Sequence, residues 1–406
     1  MSIIFFTVFI DLVGFGIVIP MLQPYALAYG ATEFQAGLLV AVFSLFQFVF
    51  APLFGWLSDR FGRKPVLLLT LLGMSFSYLV LGLADSLAMI FVGRIFAGVF
   101  SGSIAVAQAY VADVTPPEKR AHGMGMIGMA FGLGFILGPA IGGILSQISL
   151  SFPPYAAAVT SGIAFLLGAV WLNESLPSDK REAGMNFEHP ISTFTRFLSE
   201  KPVMAVILAN FLWTTTFSMW ETVFVLFVGS EVLHGLEEKE LATRVGYLFA
   251  YMGFLSAMIQ GGLIRRLTKS FSERGLAHTG IAIYILGSLF FIAYNFLHAG
   301  DGVTSLIPAL TAIAVGLGLI NPTFSAIVSK LVSPKRQGEV LGSFRGLGSL
   351  GRVIGPVAGA ILFAHVSHWS PYLAGAVLMG GAFLLLQREF EYHREDASTG
   401  VENLFS

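Results

Sequence analysis

No cysteine occurs in the chain, which removes disulfides, thiolate chemistry and cysteine-ligated metals from consideration. Charge is scarce as well. Only 12% of the 406 residues are Asp, Glu, Lys or Arg, about half of what a soluble protein of this size carries. No basic domain or nucleic-acid motif appears, so nucleic acid is not an expected partner. The eight histidines are scattered without a metal-ligand pair, and no metal is expected. A G-x-x-x-x-G-K-[ST] phosphate loop is missing, which argues against direct coupling to ATP. Without a nucleophile–base pair an enzyme has no support, and without a filter-like repeat or a ring of charges neither has a channel.

What fills the chain is apolar surface: 55% hydrophobic residues and a mean hydropathy of +0.78. Runs of roughly 20 apolar residues span a bilayer, and twelve can be placed, at 3–28, 34–57, 65–84, 87–111, 122–146, 154–173, 202–229, 243–264, 276–298, 303–329, 337–364 and 369–387. The lipid bilayer is therefore the expected surrounding of an all-α integral membrane protein. The first run begins almost at Met1 and passes Pro20 without a small-residue cleavage site, and is expected to be a retained span. Lys and Arg fall almost entirely in alternate connections, with only Lys239 and Arg244 on the other side. The positive-inside rule then places both termini in the cytoplasm.

The most polar connection, 174–201, divides the chain into an N-terminal six-helix bundle (1–173) and a C-terminal one (202–388), followed by a cytoplasmic tail (389–406) expected to fray. Within the linker, Ile191, Phe194 and Leu198 recur at near-helical spacing, as in a short interfacial helix or by chance in a floppy segment. The halves echo each other. Gly134-x-x-x-Gly138-Pro139-x-x-Gly142-Gly143 in span 5 is matched by Gly351-x-x-x-Gly355-Pro356-x-x-Gly359-Ala360 in span 11, as expected of one duplicated unit. Small residues at this period let helices approach closely, either as static packing or as a hinge or sliding contact between the halves.

Between spans 2 and 3 lies Gly55-Trp56-Leu57-Ser58-Asp59-Arg60-Phe61-Gly62-Arg63-Lys64-Pro65, the tight turn of a helical hairpin. It resembles the signature between helices 2 and 3 of the major facilitator superfamily of secondary transporters. Asp11 to Pro20, Arg94-Ile95-Phe96-Ala97-Gly98 and the Gly138-Pro139 motif look like the span 1, 4 and 5 motifs of its twelve-helix drug/proton antiporter branch, and the phrase from Phe61 to Leu69 looks most like tetracycline/proton antiporters. The resemblance implies two pseudo-symmetric six-helix bundles around a cavity that opens alternately to each face. It also implies a multi-pass protein, a monomer in a bacterial inner membrane, with no cofactor and a proton gradient as energy source. Gram-negative tetracycline antiporters carry a histidine in span 8 and an aspartate in span 9. Here span 8 has Ser256 and span 9 no acid, so that proton route is not carried over.

Charges inside spans are costly and are functional candidates by default. Asp11 is the only charge in span 1 and Arg94 the only one in span 4. Burial disfavours a carboxylate and a nearby guanidinium favours it, so such a pair either exchanges a proton as the cavity changes sides or forms a static bridge. The family similarity implies that Asp59, Arg63 and Asp113 form a charge cluster against the start of span 11, a cytoplasmic latch in which Gly55 and Gly62 allow close approach; a purely topogenic basic loop accounts for Arg60 and Lys64 but not for Asp59. Glu221 in span 7 is either near the outer rim, reaching water, or a substrate contact beside Trp213, Phe217 and Trp220, aromatics that line a cavity or face lipid. Gln47, Gln108, Gln260, Asn210 and Asn321 should face protein or cavity. Arg352 needs a partner that the sequence does not name. The leading expectation is a proton-driven antiporter exporting amphipathic cationic or zwitterionic small molecules. The alternatives are a metabolite or sugar transporter and a non-transporting receptor or lipid-binding scaffold.

Overall fold

The structure, a computed structural model, describes residues 2–116, 120–181, 200–297, 302–332 and 337–402. Ile191, Phe194 and Leu198 lie outside the described residues. Among the described residues twelve helices are long and apolar enough to cross a membrane: α1 (Ser2–Ala28), α2 (Glu33–Phe61), α3 (Arg63–Gly82), α4 (Leu87–Val114), α5 (Gly123–Ser146), α6 (Phe152–Trp171), α7 (Lys201–Val232), α8 (Glu238–Ser270), α9 (Glu273–Tyr294), α10 (Val303–Lys330), α11 (Val340–His365) and α12 (Ser370–Arg388). No strand occurs among the described residues. Helices are what apolar runs must form in lipid, because every backbone polar group is then satisfied within its own segment.

Local chemistry sets the ends and breaks. Thr32 caps α2 through a reciprocal pair with Gln35, in which the Thr32 hydroxyl accepts from the Gln35 N–H and the Gln35 side chain accepts from the Thr32 N–H. Such a box satisfies two otherwise orphaned donors. α1 is interrupted by a turn at Ile19–Met21 around Pro20, whose ring cannot continue the helical ladder. The hairpin α2–α3 turns on a single residue, Gly62, with φ 104°, a conformation open to glycine and costly for other residues. α8 runs beyond the 243–264 expected from the sequence because a π-turn at Ile259–Leu263 links its main stretch to Ile264–Ser270. The tail also departs from expectation: the helix begun at Ser370 continues to Glu402 instead of fraying after 388.

Each half packs chiefly on itself. In the first, α1 lies against α5 and α6, α3 against α6, and α4 against α2 and α3; in the second, α7 lies against α11 and α12, α9 against α10 and α12, and α8 against α10. Across the halves α5 meets α8 and α2 meets α11. Large apolar side chains such as Val159, Val170, Val377 and Leu384 are more than half exposed, and a bilayer would cover them. An even number of spans puts both chain ends on one face, here called the terminal face.

Candidate functional site

Asp11 lies inside the first half, 5% exposed. Its carboxylate accepts hydrogen bonds from Ser103 Oγ of α4 at 2.7 Å and from Ser161 Oγ of α6 at 3.1 Å. Arg94 does not pair with it, contrary to the expected Asp11–Arg94 couple. Its Nε donates to the Leu39 carbonyl at 3.3 Å and its guanidinium lies 4.4 Å from the centre of the Phe43 ring. The cause is depth. On α4, Ser103 is nine residues beyond Arg94, about 13 Å at helical rise, and Ser103 is the residue level with Asp11. Tyr78 of α3 is within electrostatic range of both charges. Its buried hydroxyl has no partner among the described residues. Asp11 is thus a buried acid held by neutral donors.

The second constellation assembles on the terminal face. Arg63, its side chain 9% exposed, pairs with Asp59 at 2.6 Å and with Asp113 at 2.9 Å, and also donates to Ser58 Oγ at 2.7 Å. Sequence reasoning missed two members from the start of the 174–201 connection. Ser175 Oγ donates to Asp113 at 3.0 Å, and the Glu174 carboxylate accepts from the backbone N–H groups of Arg63 and Lys64 at 2.8 and 3.3 Å. A carboxylate at a helix N-terminus is favourably placed. The Gly62 backbone is crowded, since a Cβ there would overlap Glu174 Oε2; Gly55, expected to allow close approach, has nothing within 4 Å of the corresponding position. The side chains that begin span 11, at 337–339, against which the cluster was expected, lie outside the described residues.

The glycine motifs work mostly within each half rather than between them, correcting one of the two sequence readings. A Cβ on Gly134 would meet Leu12, one on Gly138 would meet Gly16, and one on Gly142 would overlap the Ile17 carbonyl, all on α1. Pro139 Cδ lies by Gly16, and Gly355 abuts Thr215 and Ser218 of α7. Pro139 and Pro356 are accommodated inside continuous helices. Contact between halves falls to Gly143, against Thr243 and Gly246, and to Gly37, against Ala360.

Those contacts cluster on the face opposite the termini. There Thr243 Oγ1 donates to the Gly143 carbonyl at 2.8 Å and Gln23 Nε2 donates to the Thr222 carbonyl. His368, in the α11–α12 loop, bonds Glu231 of α7 through Nδ1 and approaches Glu33 of α2 through Nε2 at 3.8 Å. Toward the terminal face α5 and α8 part. Gly125, Gly128 and Gly132 of α5, and Gly261 and Gly262 of α8, have nothing within 4 Å of where a Cβ would stand, and a cavity of about 670 Å³ lies there, bordered by Met126, Met129, Gln260 and Arg265.

The remaining expected residues divide. Gln108 of α4 accepts from Arg345 of α11 at 2.6 Å, a bond across the halves. Gln47 is half-buried. Asn210 is buried and donates to the Phe344 carbonyl at 2.9 Å, which makes it a packing residue of α7 and α11. Trp213 and Trp220 are each 2% exposed and face neither cavity nor lipid. They stack into an aromatic core with Tyr284, Phe224, Phe249 and Phe291, while Phe217 stands at its half-buried edge. Trp213 Nε1 donates to the exposed Asn321 at 2.7 Å. Glu221 is not at the rim: eleven residues of α7 follow it, about 16 Å of rise, and it lies in electrostatic range of Arg352 and Arg94. Among the described residues no group of three or more His, Asp or Glu is placed to hold a metal ion. Ser103, Ser161 and the His368 clasp had no sequence signal, because hydroxyls and lone histidines far apart in the chain look like any others.

A sequence profile of the Major Facilitator Superfamily matches residues 4–356 and 266–403. The class C tetracycline resistance protein of Escherichia coli is 34% identical, with 92% of each chain covered. Multidrug resistance protein 2 of Bacillus subtilis is 28% identical over 93% of this chain and 92% of its own. Among solved structures, the human organic anion transporter MFSD10 (TETRAN) superposes with a TM-score of 0.72 at 25% identity, covering 95% of this chain and 98% of that one.

Proposed function

The chain belongs to the major facilitator superfamily, and from that premise we propose that it is a proton-coupled antiporter exporting amphipathic small molecules by alternating access. Its relatives are transporters named for tetracycline and multidrug resistance, which supports export of drug-like compounds. The observation that carries the coupling is Asp11: an acid submerged in α1, held by Ser103 and Ser161 and without an ion-pair partner among the described residues. A carboxyl group locked by a cation has one useful ionisation state, whereas one held by hydroxyls, which both donate and accept, has two. In this reading the cavity toward the terminal face is the cytoplasmic entrance, both termini are cytoplasmic, and Arg94 fixes α4 on α2 about 13 Å of helical rise from the proton site. Asp59, Arg63 and Asp113, with Gly55 and Gly62, form the inner latch that engages span 11 when the halves rock. The protein acts as a monomer in a bacterial inner membrane and draws only on the proton gradient.

Flux in proteoliposomes tests this reading. A panel of amphipathic dyes and drugs should include at least one whose transport is driven by an imposed pH gradient, and Asp11→Asn should reduce that flux by about a hundredfold, the scale of losing a positioned proton carrier. Equal pH-driven flux in the variant would remove Asp11 from the coupling while leaving the family untouched.

A further inference from the structure

The charges that line the path between the halves are not balanced. Arg345 and Arg352 stand seven residues apart on α11, two helical turns and about 10 Å, hence on one face. The neighbouring face of the same helix, about 80° round at 3.6 residues per turn, is committed to α7: Gly348 lies against Asn210, Gly351 against Thr214 and Thr215, and Gly355 against Ser218. The arginine face lies beside that contact, and Arg345 NH1 reaches across to the Gln108 side chain of α4 at 2.6 Å. Both arginines are exposed in the structure although they lie inside a membrane-spanning helix. Arg352 NH2 donates to Ser349 on its own helix, a neutral partner.

Acid does not match them. Asp11 is turned into the first half toward Ser103 and Ser161. Glu221 is shared in electrostatic range between Arg352 and Arg94, which leaves Arg345 with an amide and no carboxylate among the described residues. Intramembrane guanidinium groups are too costly to keep without a task, and rings or pairs of arginine are how membrane pathways select anions. Guanidinium forks suit carboxylates and related acid groups in planar, two-bonded geometry.

We propose that Arg345 and Arg352 form an anion-recognition pair, so that the substrates are amphipaths carrying an acid group (carboxylate, sulfonate or enolate), zwitterions included and pure cations excluded. This deepens the transport reading above and rests on it. Gln108 supplies a contact from the opposite half, so that an acid group bridging Arg345 and Gln108 touches both halves at once. The pairing also fixes the electrical sign of transport. Export of a monoanion in exchange for an entering proton moves two charges in the same sense, and an inside-negative potential drives it; exchange of a monocation for a proton moves none.

Proteoliposomes containing the wild-type protein are tested with fluorescein, an aryl carboxylate, and with ethidium, a permanent cation of similar size. Potassium diffusion potentials set by valinomycin are applied with and without a pH gradient. The expected result is protein-dependent fluorescein flux that accelerates with the potential, a loss of at least about tenfold in Arg345→Gln and Arg352→Gln, and partial retention in Arg352→Lys. Fluorescein binding to the variants in detergent, at unchanged thermal midpoint, separates lost recognition from lost folding. Ethidium flux driven by the pH gradient, with no fluorescein flux, would overturn the anion pair and leave the antiporter standing. Fluorescein flux unaltered in both glutamine variants would overturn it as well. If neither probe moves under any gradient, the pair and the transport reading fall together.

Discussion

Asp11 and Arg94 illustrate how far a single residue type can be read. Each stood out because charge is rare in apolar spans, and each is buried at 5% exposure as that rarity suggested. Their partners were illegible. Ser103 and Ser161 are 92 and 150 residues from Asp11, and nothing in a lone serine marks it as a donor to a distant acid. The Arg63 cluster was more legible because four charges in a short turn need an explanation, yet Glu174 and Ser175 entered it unannounced from the far side of the half. Arg63 carries a definite expectation. Its removal leaves Asp59 and Asp113 facing each other without a cation, so Arg63→Ala should cost about 2–3 kcal/mol in thermal or denaturant unfolding. That is below the range for a wholly buried pair, because the Asp59 side chain is 42% exposed and partly solvated. Arg63→Lys should recover only part of the loss, since one ammonium cannot reproduce the separate bonds from Nε and NH1.

At the level of helices, the apolar runs located all twelve spans, because length and hydropathy are what a bilayer imposes. Departures arose where other physics set the boundary: a π-turn that lets α8 run to Ser270, and a helix from Ser370 to Glu402 that carries on past its apolar stretch. The glycine repeats were visible, but the surface they served was not, since a small-residue stripe looks the same whether it faces its own half or the other. The structure assigns most of it to α1–α5 and α7–α11 packing. Two substitutions on α5 separate tight from open positions. Gly142→Ala drives a methyl group into the Ile17 carbonyl and should destabilise by about 1–3 kcal/mol. Gly132→Ala meets nothing within 4 Å and should be neutral or stabilise by up to about 1 kcal/mol through helix propensity. Thermal unfolding of the two variants side by side checks the difference.

Across the whole molecule, the halves are joined on the face opposite the termini, and toward the terminal face α5 and α8 part while Arg345 and Gln108 still bond across. The joint includes a polar clasp, His368 between Glu231 and Glu33, with its ring stacked on Phe363. The imidazole offers one nitrogen to each carboxylate, so His368→Ala, which removes both contacts, should loosen the joint on that face. The absence of cysteine makes this measurable without background: paired spin labels introduced across that face should report longer or broader distances in the variant than in the wild type. The central claim is that proton and substrate occupancy are linked through Asp11, and proton release tests it most directly. Adding a transported substrate to purified protein in weakly buffered solution should release protons from the wild type and none from Asp11→Asn with substrate affinity retained. Equal release from both proteins would contradict the account.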